Sequence, residues 1–302
     1  MQDLIPNELR QTIERVHGEA GRQWLAILPD LLEEFTDRWS VTLQKPFENL
    51  SYNLVIPGHN ASGAQVVLKL GPPCAELTAE ATALRLFAGR GAVRLLNHDS
   101  ARGALLIERI VPGIPLHQRQ DEKTAIRTTA QLMRYLWREP PVEHSFPTLS
   151  RWFRALELLR EQKPAKLFPM DLVDQAWADF VELQASEPRR VILHGDLHHE
   201  NILYSTEHGW LAIDPKGLCG DPGYEVATFM LNQLPLNASR STLRQVLARR
   251  VSIFSDELKM ERQRLAKWSF CHAALSAAWS FEEGAEHKGT IFIAQVLEGL
   301  LI

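Results

Sequence analysis

Cysteine is scarce: Cys74, Cys219 and Cys271 are the only three in 302 residues, and none stands in a CxxC pair. An odd count without that spacing excludes a disulfide framework and a cysteine-rich zinc site, and it points to a reducing cytoplasm. Long apolar runs are missing too. No stretch approaches the ~20 residues that span a bilayer, and the charged N-terminus lacks the apolar segment of a signal peptide, so the sequence predicts a chain neither embedded nor exported. Basic runs stop at pairs such as Arg189-Arg190 and Arg249-Arg250, and 33 Lys and Arg against 37 Asp and Glu leave a net charge of -4. That balance offers no grip on a phosphate backbone and excludes nucleic acid as a partner. No GxxxxGK[ST] phosphate loop, repeat or low-complexity segment occurs.

What is present fits an ordinary globular chain, 45% hydrophobic, long enough for about two domains. Residues 7 to 36 carry apolar positions at helical spacing. Strand patterns follow at Trp39 to Leu43, Tyr52 to Ile56 and Gln65 to Leu70, with the Pro57-Gly58-His59-Asn60 cluster and Gly63 read as the turn between the last two. A helix is expected over 75 to 88, then strands at Val93 to Leu96 and Ala104 to Glu108. Val111-Pro112-Gly113-Ile114-Pro115 marks a break, because proline removes a donor and restricts its predecessor. Placing the boundary there gives an N-terminal lobe of residues 1 to 110 and a C-terminal lobe of 111 to 302. The second lobe reads as mainly helical, except for short strands at Val191 to Leu193, Ile202 to Tyr204 and Trp210 to Ile213.

The chemistry is concentrated in His194-Gly195-Asp196-Leu197-His198-His199-Glu200-Asn201-Ile202-Leu203, followed by Ile213-Asp214-Pro215. Phosphoryl transfer needs a carboxylate facing the acceptor hydroxyl, oxygen ligands for Mg²⁺ and a cation on the phosphates. An Asp, an Asn five residues on and a second Asp after a strand turn supply those oxygens in the order protein kinases use, with Gly195 in place of their Arg and Asp214-Pro215-Lys216 in place of DFG.

With these motifs the sequence resembles the aminoglycoside phosphotransferases, within them the streptomycin 6-kinase and hydroxyurea phosphotransferase group. The resemblance spans residues 47 to about 235 in the family's order. It is carried by Lys69 in Val66-Val67-Leu68-Lys69-Leu70, the helix around Glu80, the Gly89 to Leu96 segment, Ala104 to Arg109, the HGDLHHENIL run and Ile213-Asp214-Pro215-Lys216-Gly217. It implies a bilobal, α+β, protein-kinase-like fold that binds ATP and Mg²⁺ between an N-terminal antiparallel sheet plus helix and a larger helical lobe. The implied reaction is γ-phosphoryl transfer to a hydroxyl of a small, streptomycin-type molecule.

Position by position, the resemblance makes Asp196 the catalytic Asp, Asn201 and Asp214 the Mg²⁺ ligands, and Lys69 the clamp on the nucleotide phosphates. Of the two acids that could orient Lys69, Glu76 and Glu80, helical phase favours Glu80, which lies closer to the Leu77, Ala81 and Leu84 face. Glu108 and Ile110 would offer backbone groups to the base. Ser51 would sit at a phosphate-covering turn, although that turn lacks GxGxxG. Glu225, Glu282 and Glu283 are the candidates for binding a cationic acceptor. Glu225 has a second reading as a carboxylate at a helix start, and Glu282 and Glu283, with Glu286, one as a solvated face. Other functions weighed are a kinase of an ordinary metabolite, a non-catalytic nucleotide binder, and a metal-dependent hydrolase using His194, His198 and His199 with Asp196. HxxxH on a strand turn lacks the helical face that aligns HExxH, so His194 is read as a brace of the loop.

Overall fold

The computed structural model describes residues 5–48, 50, 52–162 and 168–301. The chain divides into two compact units, Met1–Gly113 with Tyr204–Leu211 and Ile114–Leu203 with Ala212–Ile302.

The first unit opens with α1 (Asn7–Arg38), interrupted by non-helical geometry at Gly18. A five-stranded antiparallel sheet follows in the order β1-β2-β3-β5-β4, from β1 (Val41–Leu43), β2 (Leu54–Asn60), β3 (Gln65–Leu70), β4 (Leu95–Asp99) and β5 (Ala104–Glu108). Because side chains alternate across a strand, the two faces bury different sets. Val66, Leu68, Leu70, Leu54, Ile56, Ala104 and Leu106 share a core with Leu28, Leu31, Leu32 and Phe35 of α1. Lys69 faces the other way, onto α2 (Ala75–Phe87), whose Leu77, Ala81 and Leu84 are buried.

Three sequence expectations need correction here. Pro57 to Asn60 is not a turn: these residues run in β2 paired with β3, and the chain reverses at Ala61 to Gly63. Proline is tolerated because Pro57 lies beyond the last β1 pair, where the missing N–H costs no ladder bond, and Gly58 is needed where β1 crowds in. A Cβ on Gly58 would sit 2.5 Å from the Thr42 carbonyl oxygen. The Val93 strand is displaced to Leu95–Asp99. Pro112–Pro115, read only as a break, forms β6, which joins β8 (Ile202–Ser205) and β9 (Gly209–Ala212) in the order β6-β8-β9.

The second unit is helical. After the short α3 (Leu116–Arg119) come α4 (Glu122–Leu136), α5 (Leu149–Gln162), α6 (Met170–Ala185), α7 (Val226–Leu231), α8 (Arg240–Leu258), α9 (Arg262–Glu282) and α10 (Lys288–Glu298). Helix α9 is apolar nearly all round and is the buried centre, with Trp268, Phe270, Ala273, Ala274 and Leu275 fully enclosed. Beside it β7 (Val191–Leu193) pairs antiparallel with β10 (Leu218–Gly220). Strand β10 went unread because three residues carry no period. The loop His194–Asn201 leaves β7 and enters β8.

Candidate active site

The loop after β7 turns at Gly195, whose φ of +83° strains any residue with a Cβ; that Cβ would also press on the Cβ atoms of Lys216 and Leu218 at 3.2 and 3.3 Å. The Arg-to-Gly exchange is thus a backbone requirement. Asp196 follows, half-buried. Its carbonyl oxygen accepts from the Asn201 amide Nδ2 at 2.9 Å and from the His198 N–H at 3.2 Å, which closes the loop on itself.

Four buried side chains hold this loop. Glu225, fully buried, accepts the His194 and Gly195 N–H groups on its two oxygens, both at 2.8 Å. Burial outweighs these bonds and pushes its carboxyl up to about 7. The His194 ring accepts from the Asp196 N–H on Nδ1 (3.2 Å), so Nε2 carries the proton and donates to the Ile213 carbonyl at 2.8 Å. Burial depresses this imidazole to about 3 and keeps it neutral. His194 thereby ties Asp196 to the residue before Asp214, as its reading as a brace requires. His199 stacks on Phe229 and donates through Nδ1 to Asn232 at 2.8 Å. Arg250, 2% exposed, donates in turn to the carbonyls of Phe229, Met230, Asn232 and Gln233. Sequence reasoning missed Arg250 and Asn232, since neither lies near the motif in the chain.

Asn201 and Asp214 approach through the backbone: the Ile213 N–H donates to the Asn201 carbonyl at 2.9 Å, and Asp214 takes φ +58°. Because Nδ2 of Asn201 is engaged by Asp196, Oδ1 is its atom left for a cation. Among the described residues no group of three or more His, Cys, Asp or Glu could hold a metal. Two hard oxygens suit Mg²⁺, which keeps waters and shares phosphates rather than filling a protein cage, so the donor set fits that ion. It does not fit the histidine-based hydrolase: His194 spends both ring nitrogens on the backbone, and His199 is buried and stacked on Phe229.

In the first unit, Lys69 Nζ donates to both oxygens of Glu80, at 2.8 and 2.9 Å, and both side chains are buried. Glu76 lies on the exposed side of the same helix.

Residues 38–284 match the family described as aminoglycoside/hydroxyurea antibiotic resistance kinase. The chain belongs to that family. It is 32% identical to streptomycin 6-kinase of Streptomyces glaucescens, covering 98% of this chain and 97% of that one. It is also 31% identical to hydroxyurea phosphotransferase of Kitasatospora aureofaciens, over 98% and 86%. A thermostable mutant of aminoglycoside phosphotransferase APH(4)-Ia, solved as a ternary complex with ADP and hygromycin B, superposes with a TM-score of 0.60 at 14% identity, covering 89% and 97%. The fold is protein-kinase-like, as the motif order implied.

Several residues proposed for this kinase need relocating. Glu225 does not meet an acceptor, because it is enclosed and both its oxygens serve the loop backbone. Asp221, four residues before it, is likewise enclosed, 1% exposed, and is neutralised by Arg264, with the Trp268 indole N–H at 3.1 Å. Glu108 keeps its N–H for the Arg94 carbonyl at 3.0 Å and its carboxylate for Arg94, so the backbone group it would offer a base is its carbonyl oxygen. Ile110, by contrast, has no hydrogen bond on its backbone N–H or C=O among the described residues. Glu282 and Glu283 end α9 exposed. Ser51 lies outside the described residues.

Proposed function

We propose that this protein transfers the γ-phosphoryl group of ATP to a hydroxyl of a streptomycin-type aminoglycoside. What carries the reading is the braced Asp196–Asn201 loop within a chain that aligns from end to end with a streptomycin 6-kinase. Asp196 orients the acceptor hydroxyl and takes its proton, a role suited to a half-exposed carboxylate on a loop braced through its backbone. Lys69, kept extended by Glu80, neutralises the nucleotide phosphates. Asn201 Oδ1 and Asp214 would hold Mg²⁺, which when bound would draw charge off the transferring phosphoryl group. The backbone of Ile110 receives the base. Hydroxyurea is the second acceptor to consider, on the strength of the 31% identical phosphotransferase.

The test is Mg-ATP consumption with streptomycin, hydroxyurea and neutral cyclitols, with mass spectrometry of the acceptor. Streptomycin should gain one phosphoryl group. ATP turnover that leaves every aminoglycoside unmodified while a cyclitol is phosphorylated would replace the reading with that of a metabolite kinase.

A further inference from the structure

The catalytic loop has an aromatic neighbour that the proposed mechanism does not use. Trp152 on α5 lies against Gly195, the residue before Asp196: a Cβ there would be 3.6 Å from Trp152 Cη2. Trp279 near the end of α9 meets Trp152 edge to face, ring centres 5.4 Å apart and planes at 81°. These two indoles are the half-exposed rim of a cluster whose inner members, Tyr224, Phe153 and Trp268, are fully enclosed. Behind them Tyr224 and His272 satisfy each other across a 2.7 Å hydrogen bond. Burial depresses His272 to about 4, so this backing is neutral. Core packing explains the enclosed rings but not why these two indoles stay partly in water beside the loop that carries Asp196. Glu282 and Glu283 follow Trp279 by three and four residues, so they extend the same helical face with negative charge.

A ring face carries negative potential, and a planar, weakly hydrated guanidinium stacks on indole better than on any other side chain. We propose that Trp152 and Trp279 form the acceptor platform and select guanidinium- or amine-bearing substrates by cation–π contact. The inference deepens the proposed function and rests on its assignment of Asp196 as the residue that meets the acceptor.

Isothermal titration with streptomycin as probe tests it, using wild type, Trp279→Leu, Trp279→Phe and Trp152→Leu, with Mg-ATP binding as the control. A desolvated cation–π contact predicts streptomycin affinity falling about tenfold or more in Trp279→Leu and Trp152→Leu, largely restored in Trp279→Phe, with Mg-ATP affinity unchanged. Should the leucine variants fail to fold, wild type grown with fluorinated tryptophan keeps the shape but drains the ring faces, and should bind streptomycin more weakly. A change under twofold, equal losses for streptomycin and Mg-ATP, or indifference to fluorination would overturn the platform. Turnover of streptomycin with tryptophan-independent binding overturns this inference alone. Tryptophan-dependent binding without phosphorylation supports the platform and overturns only the kinase acceptor assignment.

Discussion

Lys69 is held by Glu80, eleven residues away in sequence, whereas the loop bearing Asp196 is held by groups from Ile213, nineteen residues from His194, out to Glu225, thirty and more residues off. In the first unit two opposite charges are buried against each other. In the second, Glu225 and His194 grip backbone, and the Arg250–Asn232–His199 chain grips backbone while Arg250 is also paired with Glu122; the Asp196 carboxylate is not one of these supports. The difference teaches where rigidity is placed: Lys69, the cation proposed for the phosphates, is itself a structural element, while Asp196, the carboxylate proposed to face the acceptor, is carried on a scaffold of other residues.

The largest effect should separate the two directly. Asp196→Ala should lower kcat by about 10²–10⁴-fold, the usual worth of a positioned base, with little change in Tm or in Mg-ATP affinity. Asp214→Ala should weaken Mg-nucleotide binding as well. An Asp196→Ala enzyme with near wild-type turnover, or one that melts far below wild type, would erase the distinction between chemistry and scaffold.

Next comes the ion pair. Lys69→Met or Glu80→Leu breaks a buried, hydrogen-bonded ion pair by removing one member and should cost about 3–5 kcal/mol of stability. The two together should cost much less, a coupling that a double-mutant cycle by chemical denaturation measures. Activity should stay lost in the double variant, because stability is restored without a cation. Additive losses would mean that the pair is not mutually dependent.

This asymmetry also explains what could be read from the residues in order. Lys69 is singled out by the family resemblance, and a period of 3.6 then chooses Glu80 over Glu76 as its partner, a pair the structure shows. Asp196, Asn201 and Asp214 were legible from spacing and residue type. Glu225 was misassigned because a carboxylate at a helix start looks the same whether it caps, meets solvent or accepts two N–H groups from a strand end thirty residues upstream. Pro57-Gly58 misled for a related reason: turn chemistry is local, but the tolerance of β2 for it depends on where β1 stops. Trp152 and Trp279 are 127 positions apart, and nothing in either segment announces that they touch.

Glu225 gives a smaller effect, read as pH dependence. Its folded pKa of about 7 lies above the ordinary value of 4.5, so its contribution to stability is complete below about pH 4.5 and is lost as pH rises through 7. Glu225→Gln mimics the protonated form. Wild type should therefore lose stability relative to Glu225→Gln between about pH 4.5 and 7, with the gap constant above that, seen as the difference in Tm across a buffer series. His272 works in the opposite sense: its pKa of about 4 lies below 6.5, so its contribution is complete above pH 6.5 and is lost as pH falls toward 4. Wild type gaining on Glu225→Gln as pH rises would show that the two backbone bonds outweigh burial.

The smallest effect belongs to the exposed end of α9. Among the described residues neither Glu282 nor Glu283 forms an ion pair, and Glu282 is shifted upward by burial and by the neighbouring Glu283 charge. Two adjacent unpaired carboxylates maintain a negative potential that should raise the local concentration of a cationic acceptor without fixing its geometry. Glu282→Lys with Glu283→Lys should then raise the KM for streptomycin by about two- to fivefold at low ionic strength, leaving kcat alone, since steering acts on encounter. The effect should fade as salt shortens the screening length to about 8 Å at physiological strength. The tryptophan platform should weaken far less with salt, because a stacked, desolvated contact is screened less than exposed charges. A KM that ignores the charge reversal at every ionic strength would leave the carboxylates as a solvated helix end and assign acceptor selection to the indoles alone.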